Sequence, residues 1–400
     1  MRYSLVIDGN YFLFKTLYVT SQSSGELLGT ASDREVYVRK LAIDLAYQIR
    51  LLDGFIDKVV WTLDSKSWRK DFFPQAEYKG TRKHDSSINW EGFTQVIEEF
   101  KGILQGHGAQ ISKVDGAEGD DLIYAWCTSN MANGKSTMIM TGDRDMLQLV
   151  SMNQTGPAHT ILWAPVHKQL YVPIGLREWS QPKESNDFFE TLRSGTSTRE
   201  HVNQIITLMT TKGKGQLNEV DAVEEQFCKV LTGDSGDNVP PAYWYSITKG
   251  DKTRTYGVTP DKARKVVADF RKKHGELNPL FLFSAEHVND LANTLIRVVN
   301  AKHMSQKQIV GNIHVNVNLM ILSSRTIPEG ILDEMFKHIE ETNAAAADLS
   351  KLSNMKAMLE GTQYLTDGPA MKVSSSIFKG EQADEDFSFI TDRKKPGAVF

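Results

Sequence analysis

The stretch TMIMTGDRDMLQLV, residues 137–150, decides the fold that we predict for this chain. Its apolar run stops at Gly142, Asp143 and Asp145 then flank one arginine, and an apolar helical pattern resumes. A short apolar run bounded by a turn signal is typical of a buried strand. The sequence therefore predicts a strand with two carboxylates on the turn that follows it.

Two earlier stretches end in the same way. YSLVI (residues 3–7) leads into Asp8, and KVVWTL (residues 58–63) leads into Asp64. Helical patterns at residues 34–52, 90–104 and 120–131 alternate with these runs and with a further strand-like run at residues 109–114. Strands that are apolar on both faces and alternate with helices indicate an α/β fold with a parallel central sheet flanked by helices.

Carboxylates recur at the places where a parallel sheet carries its ligand site. The carboxyl ends of parallel strands share one edge, so the aspartates after the strands are expected to meet there. GAEGDD adds three acids at a helix start, and GDSGDN adds two more on a turn. Each acid alone has an ordinary explanation as a helix-start or turn residue. Together they would repel one another unless cations neutralise them. An oxygen-only ligand set favours Mg²⁺, or Mn²⁺ in its place, over zinc.

Composition limits the classes of protein to which the chain can belong. The chain has 400 residues, 40% of them hydrophobic, and a formal net charge of -4, so any contact with a polyanion must use local basic patches. Two cysteines give no disulfide framework, and no apolar run approaches the roughly 18 residues of a membrane span. We expect a soluble, intracellular protein without a signal peptide and without a membrane partner.

Two segments carry the positive charge. SKSWRKDFFPQAEYKGTRK (residues 65–83) interleaves basic and aromatic residues, a combination that suits single-stranded nucleic acid. Residues 249–273 hold nine Lys or Arg against three Asp, which suits phosphate contacts on a duplex. The predicted nucleic-acid contacts are Arg69, Lys70, Tyr78, Lys79, Arg82, Lys83, Lys249, Lys252, Lys262, Arg264 and Lys265.

The order of these motifs resembles the flap-endonuclease superfamily of 5′-nucleases. It is most similar to the phage-encoded 5′→3′ exonucleases that carry the name ribonuclease H, and to the bacterial polymerase-associated 5′-nuclease domain. The motifs are Asp8 after the first strand, Asp64 followed by WRKDFFPQAEYKGTR, then EGDD, TGDRDMLQLV and GDSGDNVP. The resemblance implies a PIN-like sheet, a helical arch and a helix–three-turn–helix element that binds duplex DNA.

The resemblance also implies a set of site residues and an activity. The metal carboxylates would be Asp8, Asp64, Glu118, Asp120, Asp121, Asp143, Asp145, Asp234 and Asp237. With Asp143 and Asp145, the catalytic set would include Lys79 and Arg82, which steady the scissile phosphate. Two Mg²⁺ ions about 3.5–4 Å apart would serve hydrolysis of DNA or RNA–DNA near 5′ ends, flaps and RNA primers during phage replication.

One departure from the family pattern lies directly after Asp237. The usual glycine-rich hairpin is absent, and the chain reads VPPAYWYSITKGDKTRTYGVTPDKARKVV. This departure puts the standard duplex contact in doubt. Residues 260–261 nevertheless begin a predicted helix, with Thr259 as its N-cap.

The motifs divide the chain into four predicted parts. Residues 1–180 form the catalytic domain, including an arch at residues 65–105, and the polar residues 181–218 read as a surface insertion. Residues 219–345 form a helical DNA-binding domain, and residues 346–400 a flexible tail. We expect a monomer in the cytoplasm of a bacterial host, whose tail binds a replication partner such as a clamp or a single-strand-binding protein.

Two alternatives stay open from the sequence. A phosphatase with an aspartate nucleophile also begins with a strand ending in Asp, but that chemistry needs an acid two residues later, and position 10 is Asn. A non-catalytic nucleic-acid-binding protein with a PIN-like fold would be expected to lack carboxylates that are all present here.

Overall fold

The computed structural model of the chain describes residues 2–20, 26–81, 85–153, 156–180 and 196–343. Within these residues lie one large mixed sheet with helices on both faces and a second, helical part. Both cysteines, Cys127 and Cys228, are free thiols. No helix among the described residues is long and apolar enough to cross a membrane.

Seven strands form the central sheet in the order β3-β2-β1-β4-β5-β6-β7. The first five in this order run parallel, as predicted, and β6 pairs antiparallel to β5. The strands are β1 Tyr3–Asp8, β2 Ile56–Thr62, β3 Gln110–Ser112, β4 Ser136–Met140, β5 Thr160–Ala164, β6 Gln169–Pro173 and β7 Gln216–Val220. Because β1 lies between β2 and β4, the ends of these three strands are neighbours.

Helices cover both faces of the sheet. On one face pack α1 (Gly9–Thr20), α2 (Ala31–Leu51) and α4 (Trp90–Gly106), whose apolar sides meet the sheet around Leu5 and Trp61. On the other face pack α5 (Gly119–Ala132) and α12 (Glu329–Asn343), around Val6 and Val60. Alternate residues of β1 therefore enter two different cores, as expected for a strand covered on both faces.

The expectation of a surface insertion at residues 181–218 is wrong for the part that the structure describes. Helix α7 (Thr196–Thr211) follows the short helix α6 (Leu176–Ser180), and β7 then joins the sheet beside β6. Val202, Ile205 and Met209 of α7 are fully buried in the main core. Their spacing of three and four gives α7 one apolar side, which the many Ser, Thr and Asn residues of the segment obscure in the sequence. Residues 181–195 lie outside the described residues.

The helical part has a core of its own. It comprises α8 (Ala222–Thr232), α9 (Pro260–His274), α10 (Ala285–Val299) and α11 (Gln306–Met320), around Phe227. Thr259 caps α9 as predicted, and its hydroxyl accepts a hydrogen bond from the Lys262 backbone amide. Helix α11 was not predicted from the sequence.

Three further segments differ in detail from the expectations. Between β2 and α4, the described residues form the short helix α3 (Trp68–Phe72) and a 3₁₀ turn, and Trp68 is buried, so this segment lies against the domain and does not stand out as a long arch. The helix expected after TGDRD is a 3₁₀ helix, Arg144–Leu149. In place of a glycine-rich hairpin, β8 (Trp244–Lys249) and β9 (Lys252–Gly257) form a separate antiparallel ribbon.

Candidate active site

The acids that follow the three neighbouring strands meet at one edge of the sheet. Asp8 is the last residue of β1, Asp64 follows β2, and Asp143 follows β4. Asp120 joins them from the first turn of α5. We call these four residues the open cluster: Asp8, Asp64, Asp120 and Asp143.

Asp8 is the buried member of the open cluster and is held from two sides. Its carboxylate accepts hydrogen bonds from the Tyr11 backbone amide at 3.0 Å and from the Thr141 hydroxyl at 2.8 Å. Burial, with repulsion from Asp64 in addition, raises the pKa of Asp8 to about 6 in spite of these two hydrogen bonds. The side chain is thus fixed in place while its charge stays poorly compensated.

The other three members show the same imbalance. Asp143 is open to solvent at its surface, yet reduced hydration within the crevice, followed by repulsion from Asp145, raises its pKa to about 7. The pKa of Asp120 is raised well above its usual value by burial and then by Asp143 and Asp8. Asp64 is also exposed at its surface, yet reduced hydration within the crevice raises its pKa, against the effect of the nearby Lys79. Four carboxylates that resist full ionisation together need positive charge from outside the set.

A second acidic group, also on α5, is closed by its own cation. The Arg69 guanidinium donates to both oxygens of Asp121, at 2.8 and 3.0 Å, and to Glu118 at 2.9 Å. Asp121 also accepts from the Trp68 indole at 3.1 Å and from the Glu118 backbone amide at 3.0 Å. We call Arg69, Glu118 and Asp121 the closed network.

The closed network corrects two predicted roles. Asp121 is fully buried and both its oxygens are engaged by protein donors, so no oxygen faces the open cluster for a metal ion. Arg69 is 2% exposed and donates its Nε to the Leu319 carbonyl, which leaves no free face for nucleic acid. The sequence predicts Asp121 as a metal ligand and Arg69 as a nucleic-acid contact, because it does not show that Trp68 and Leu319 enclose them.

Tyr78 and Lys79 link the closed network to the rest of the crevice. The Tyr78 hydroxyl lies 3.1 Å from Glu118 and 2.9 Å from Asp237. Its ring is buried, so Tyr78 does not present the exposed nucleic-acid contact that the sequence predicts. The Lys79 ammonium pairs with Glu118 and lies 3.9 Å from Asp237. Burial opposes its charge, but Glu118 and Asp237 raise the pKa of Lys79 to about 12, so it stays cationic. Burial opposes the charge of Glu118, but the adjacent cations Lys79 and Arg69 lower its pKa.

The remaining acids come from the helical part and from the 3₁₀ helix after β4. The turn after α8 holds Asp234, whose carboxylate accepts from the Gly236 amide at 2.7 Å. The Lys229 side chain is 12% exposed, and its ammonium pairs with Asp145 and lies 4.0 Å from Asp234. We call Asp145, Lys229 and Asp234 the Lys229 group. Burial opposes the charge of Lys229, but Asp145 and Asp234 raise its pKa.

Sequence reasoning missed Lys229. In the sequence it is an ordinary cation in the last turn of a helix, where the helix dipole favours it. Only its position five residues before Asp234 relates it to the site.

One cleft brings members of these groups from both parts of the molecule together. Its walls come from both parts of the molecule: Asp120 and Asp145 from the sheet domain, Lys229, Asp234 and Asp237 from the helical part, and Tyr78 and Met320 around them. Arg82 and Lys83, two further predicted contacts, lie outside the described residues. Lys70, Lys249, Lys252, Lys262, Arg264 and Lys265 are exposed, and none of them lines this cleft.

The donor set fits hard divalent cations. All of the acids offer carboxylate oxygens, the ligands that Mg²⁺ and Mn²⁺ prefer. In the part of the chain that the structure describes, no three acids, histidines or cysteines stand close enough to hold one ion as they are. Lys79 and Lys229 take up the space between several of them, while the raised pKa values of Asp8 and Asp143 show where positive charge is still lacking.

Comparison with known proteins finds a family model that is similar to the sheet domain. Residues 3–170 match the family model of the 5′-3′ exonuclease N-terminal resolvase-like domain. The matched residues include the open cluster, the closed network and Asp145, whereas Lys229, Asp234 and Asp237 lie beyond the match. The structure agrees with the predicted fold class, an α/β domain of PIN-like form with a mainly parallel sheet.

Individual relatives cover only this domain. The DNA polymerase I of Mycobacterium leprae is 30% identical over 152 residues, which are 38% of this chain and 16% of the relative. The DNA polymerase I of Mycobacterium bovis is 26% identical over 157 residues, again 16% of its length. The chain thus spans about a sixth of the length of the curated relatives it matches.

A solved structure aligns over a longer stretch. The bacteriophage T5 D15 flap endonuclease, crystallised with DNA and metal ions, is 13% identical, with 86% of this chain and 100% of the other covered, at a TM-score of 0.48.

Proposed function

We propose that this protein is a divalent-metal-dependent 5′-nuclease that hydrolyses phosphodiesters near 5′ ends and flap junctions of DNA. The observation that carries the proposal is the open cluster, four undercompensated carboxylates at the strand ends of a 5′-3′ exonuclease domain. A protein that only bound nucleic acid would gain nothing from acids that repel both one another and the phosphates of its ligand.

Two groups of acids divide the work of holding cations. Asp8, Asp64, Asp120 and Asp143 would hold one ion, and Asp145, Asp234 and Asp237 a second. When bound, divalent ions neutralise the crevice and supply charge for the scissile phosphate and for the attacking water. The Tyr11 amide and the Thr141 hydroxyl fix Asp8 in place beforehand.

Lys79 supplies the protein's own positive charge at this edge. Its ammonium is held by Glu118, which in turn is anchored by Arg69, so its position is set by the closed network. A cation held this way binds a phosphate oxygen and stabilises the negative charge that develops during hydrolysis. Lys229 does the same on the other side of the crevice, and its positive charge offsets the repulsion between Asp145 and Asp234.

The test is cleavage of a 5′-labelled flap duplex in Mg²⁺, with the products sized on a gel beside those of a blunt duplex. We expect metal-dependent cuts at the junction or the 5′ end, abolished by EDTA and by Asp143→Ala combined with Asp145→Ala. The matched control is Asp53→Ala with Asp57→Ala, two exposed acids at the opposite edge of the sheet. Cleavage that survives the Asp143/Asp145 pair, or flap binding without any cleavage, contradicts the proposal.

Finer parts of the proposal have their own tests. We propose that RNA primers and flaps are substrates during phage replication, which a 5′-labelled RNA–DNA hybrid tests directly. The predicted partner contact of residues 346–400 lies outside the described residues. We expect deletion of residues 366–400 to abolish binding to a single-strand-binding protein or clamp, and unchanged binding contradicts this idea.

A further inference from the structure

The β8–β9 ribbon stands out from the helical part with little to cover it. All residues from Ser246 to Tyr256 are exposed, so both faces of the ribbon meet solvent. The turn uses Gly250, whose φ of +58° suits glycine, and Asp251. A two-stranded ribbon alone in water is marginally stable, so its exposed surface is a candidate for binding something.

The register separates two chemically different faces. On one face, Tyr245 pairs with Tyr256, Ile247 with Arg254, and Lys249 with Lys252. This face changes from aromatic at the base to cationic at the tip. On the other face lies a ladder of hydroxyl groups, in which Ser246 bonds Thr255 at 2.9 Å and Thr248 bonds Thr253 at 3.0 Å.

The base of the cationic face holds three nearly parallel rings. Tyr256 stacks on Tyr245 with ring centroids 5.3 Å apart at 19°, and His303 stacks on Tyr245 at 4.2 Å and 22°. Tyr256 is 43% exposed, although burial of a tyrosine ring is ordinarily favourable. The ribbon thus presents ring faces beside three cations, Lys249, Lys252 and Arg254, against the single acid Asp251.

We infer that this ribbon binds single-stranded nucleic acid, with bases stacked on the Tyr256 ring and phosphates on the three cations. This inference rests on the proposed function for the strand's origin, namely an unpaired arm of the substrate. Single strands bind to stacking rings with flanking positive charge, because every base offers a π face. In a duplex these faces are covered by neighbouring base pairs, so paired nucleic acid can use the cations but not the ring. The chain as a whole is acidic, which makes a local basic ribbon the more selective for a polyanion.

The stacking contact is tested by binding, without any cleavage. A fluorescein-labelled dT12 strand and a 12-base-pair duplex are titrated with the full chain in EDTA, and anisotropy is read. We expect Tyr256→Ala to weaken dT12 binding about tenfold and Tyr256→Phe to leave it nearly unchanged, because the phenyl ring still stacks. Tyr47→Ala, which removes a 61% exposed tyrosine from α2, is the matched control with no expected effect.

The cationic contact is tested by salt dependence. The triple variant carries Lys249→Ala, Lys252→Ala and Arg254→Ala. The magnitude of the slope of log K against log salt for dT12 should decrease by about 2 in this variant, because each of the three lost phosphate contacts removes roughly 0.7. The matched control replaces three exposed cations elsewhere, Arg50, Lys135 and Arg177, which changes the net charge by the same amount. It should keep the slope, because none of these three cations lies on the ribbon.

The two tests separate this inference from the nuclease proposal. Unchanged dT12 affinity in both ribbon variants overturns the inference, even if flaps are cut normally. An equal loss for dT12 and for the duplex in Tyr256→Ala also overturns it, because the ring would then act on nucleic acid in general. Weaker dT12 binding with intact duplex binding supports it, even if the crevice proves not to hydrolyse DNA.

Discussion

The open cluster and the closed network each take an acid from the first turn of α5, but the charges of these two acids are compensated to very different degrees. Asp120 and Asp121 are adjacent in the first turn of α5. Asp121 points into the protein and receives a bidentate arginine, an indole and a backbone amide. Asp120 meets Asp8 and Asp143, and the pKa of Asp120 is raised by burial and by these neighbours. One position is built for stability, and its neighbour keeps a charge deficit that an external cation can fill.

This contrast has a physical origin in the direction of the helix. Residues that follow each other on a helix point about 100° apart, so one faces the sheet edge and the other the space beneath α3. Only the second direction meets Trp68 and Arg69. Acid-rich motifs of this kind therefore hold structural and functional carboxylates side by side, and burial of the partners tells them apart.

The largest effect is expected from Asp8→Asn, which removes one charge from the open cluster and keeps the shape. Loss of several kcal/mol of transition-state stabilisation corresponds to a fall of about 10³-fold in kcat/KM for flap cleavage. Thermal stability measured in EDTA should not fall, because one repelling charge is gone. Asp57→Asn, at the far end of β2, is the control for both readings. Retained activity, or a large loss of stability, would show that Asp8 belongs with the structural acids.

The next effect is expected from Arg69→Met, which opens the closed network. Asp121 and Glu118 then keep buried charges without their arginine, a situation that costs about 3–5 kcal/mol. Urea unfolding should show this loss in the free energy of unfolding. Lys70→Met changes the neighbouring exposed cation and should cost less than about 0.5 kcal/mol. Equal effects of the two substitutions would contradict the distinction between the clusters.

A third prediction concerns a buried base far from both clusters. His159 lies at the amino end of the sheet, where its Nε2 is 2.6 Å from the Tyr3 hydroxyl and its Nδ1 is 2.8 Å from the Pro157 carbonyl. Burial lowers its pKa to about 4. The unfolded chain, with a pKa near 6.5, binds the proton more readily, so stability should fall as pH drops from about 6.5 to 4, by at most roughly 3 kcal/mol.

The sign of this slope separates His159 from the open cluster. The pKa of Asp8 is raised, to about 6, so the folded state binds that proton more readily and stability falls as pH rises from about 4 to 6. In EDTA, His159→Gln should therefore reduce the loss of stability that occurs as the pH falls towards 4. Asp8→Asn should reduce the loss of stability that occurs as the pH rises towards 6. The two substitutions should change the slope of the free energy of unfolding against pH, measured between pH 4 and 7, in opposite directions. A change in the same direction would contradict these assignments.

The smallest effect is stabilisation by the ion itself. At ten times its Kd, bound Mg²⁺ should add about 1.4 kcal/mol to the free energy of unfolding, which chelation removes. The gain should disappear in Asp8→Asn and persist in Tyr256→Ala, a ribbon substitution outside the crevice. A gain that survives Asp8→Asn would place the ion elsewhere.

The sequence by itself determined the sheet and the edge at which the acids meet. Apolar runs at the first, second and fourth strands each end before an acid, and parallel strands leave those acids no other edge to share. The N-cap of α9 was also readable, since capping depends on a few neighbouring residues.

Tertiary structure alone decided which acids keep a charge deficit and which polar segments enter the core. Asp121 is a predicted metal ligand and Arg69 a predicted nucleic-acid contact, but Trp68 and Leu319 enclose them. Helix α7 lies in a predicted surface insertion, but its Val202 and Ile205 belong to the main core. Lys229 joins the site only because α8 packs against the 3₁₀ helix that carries Asp145. These outcomes depend on contacts between residues far apart in sequence, and desolvation, which sets their energies, exists only once the chain has folded.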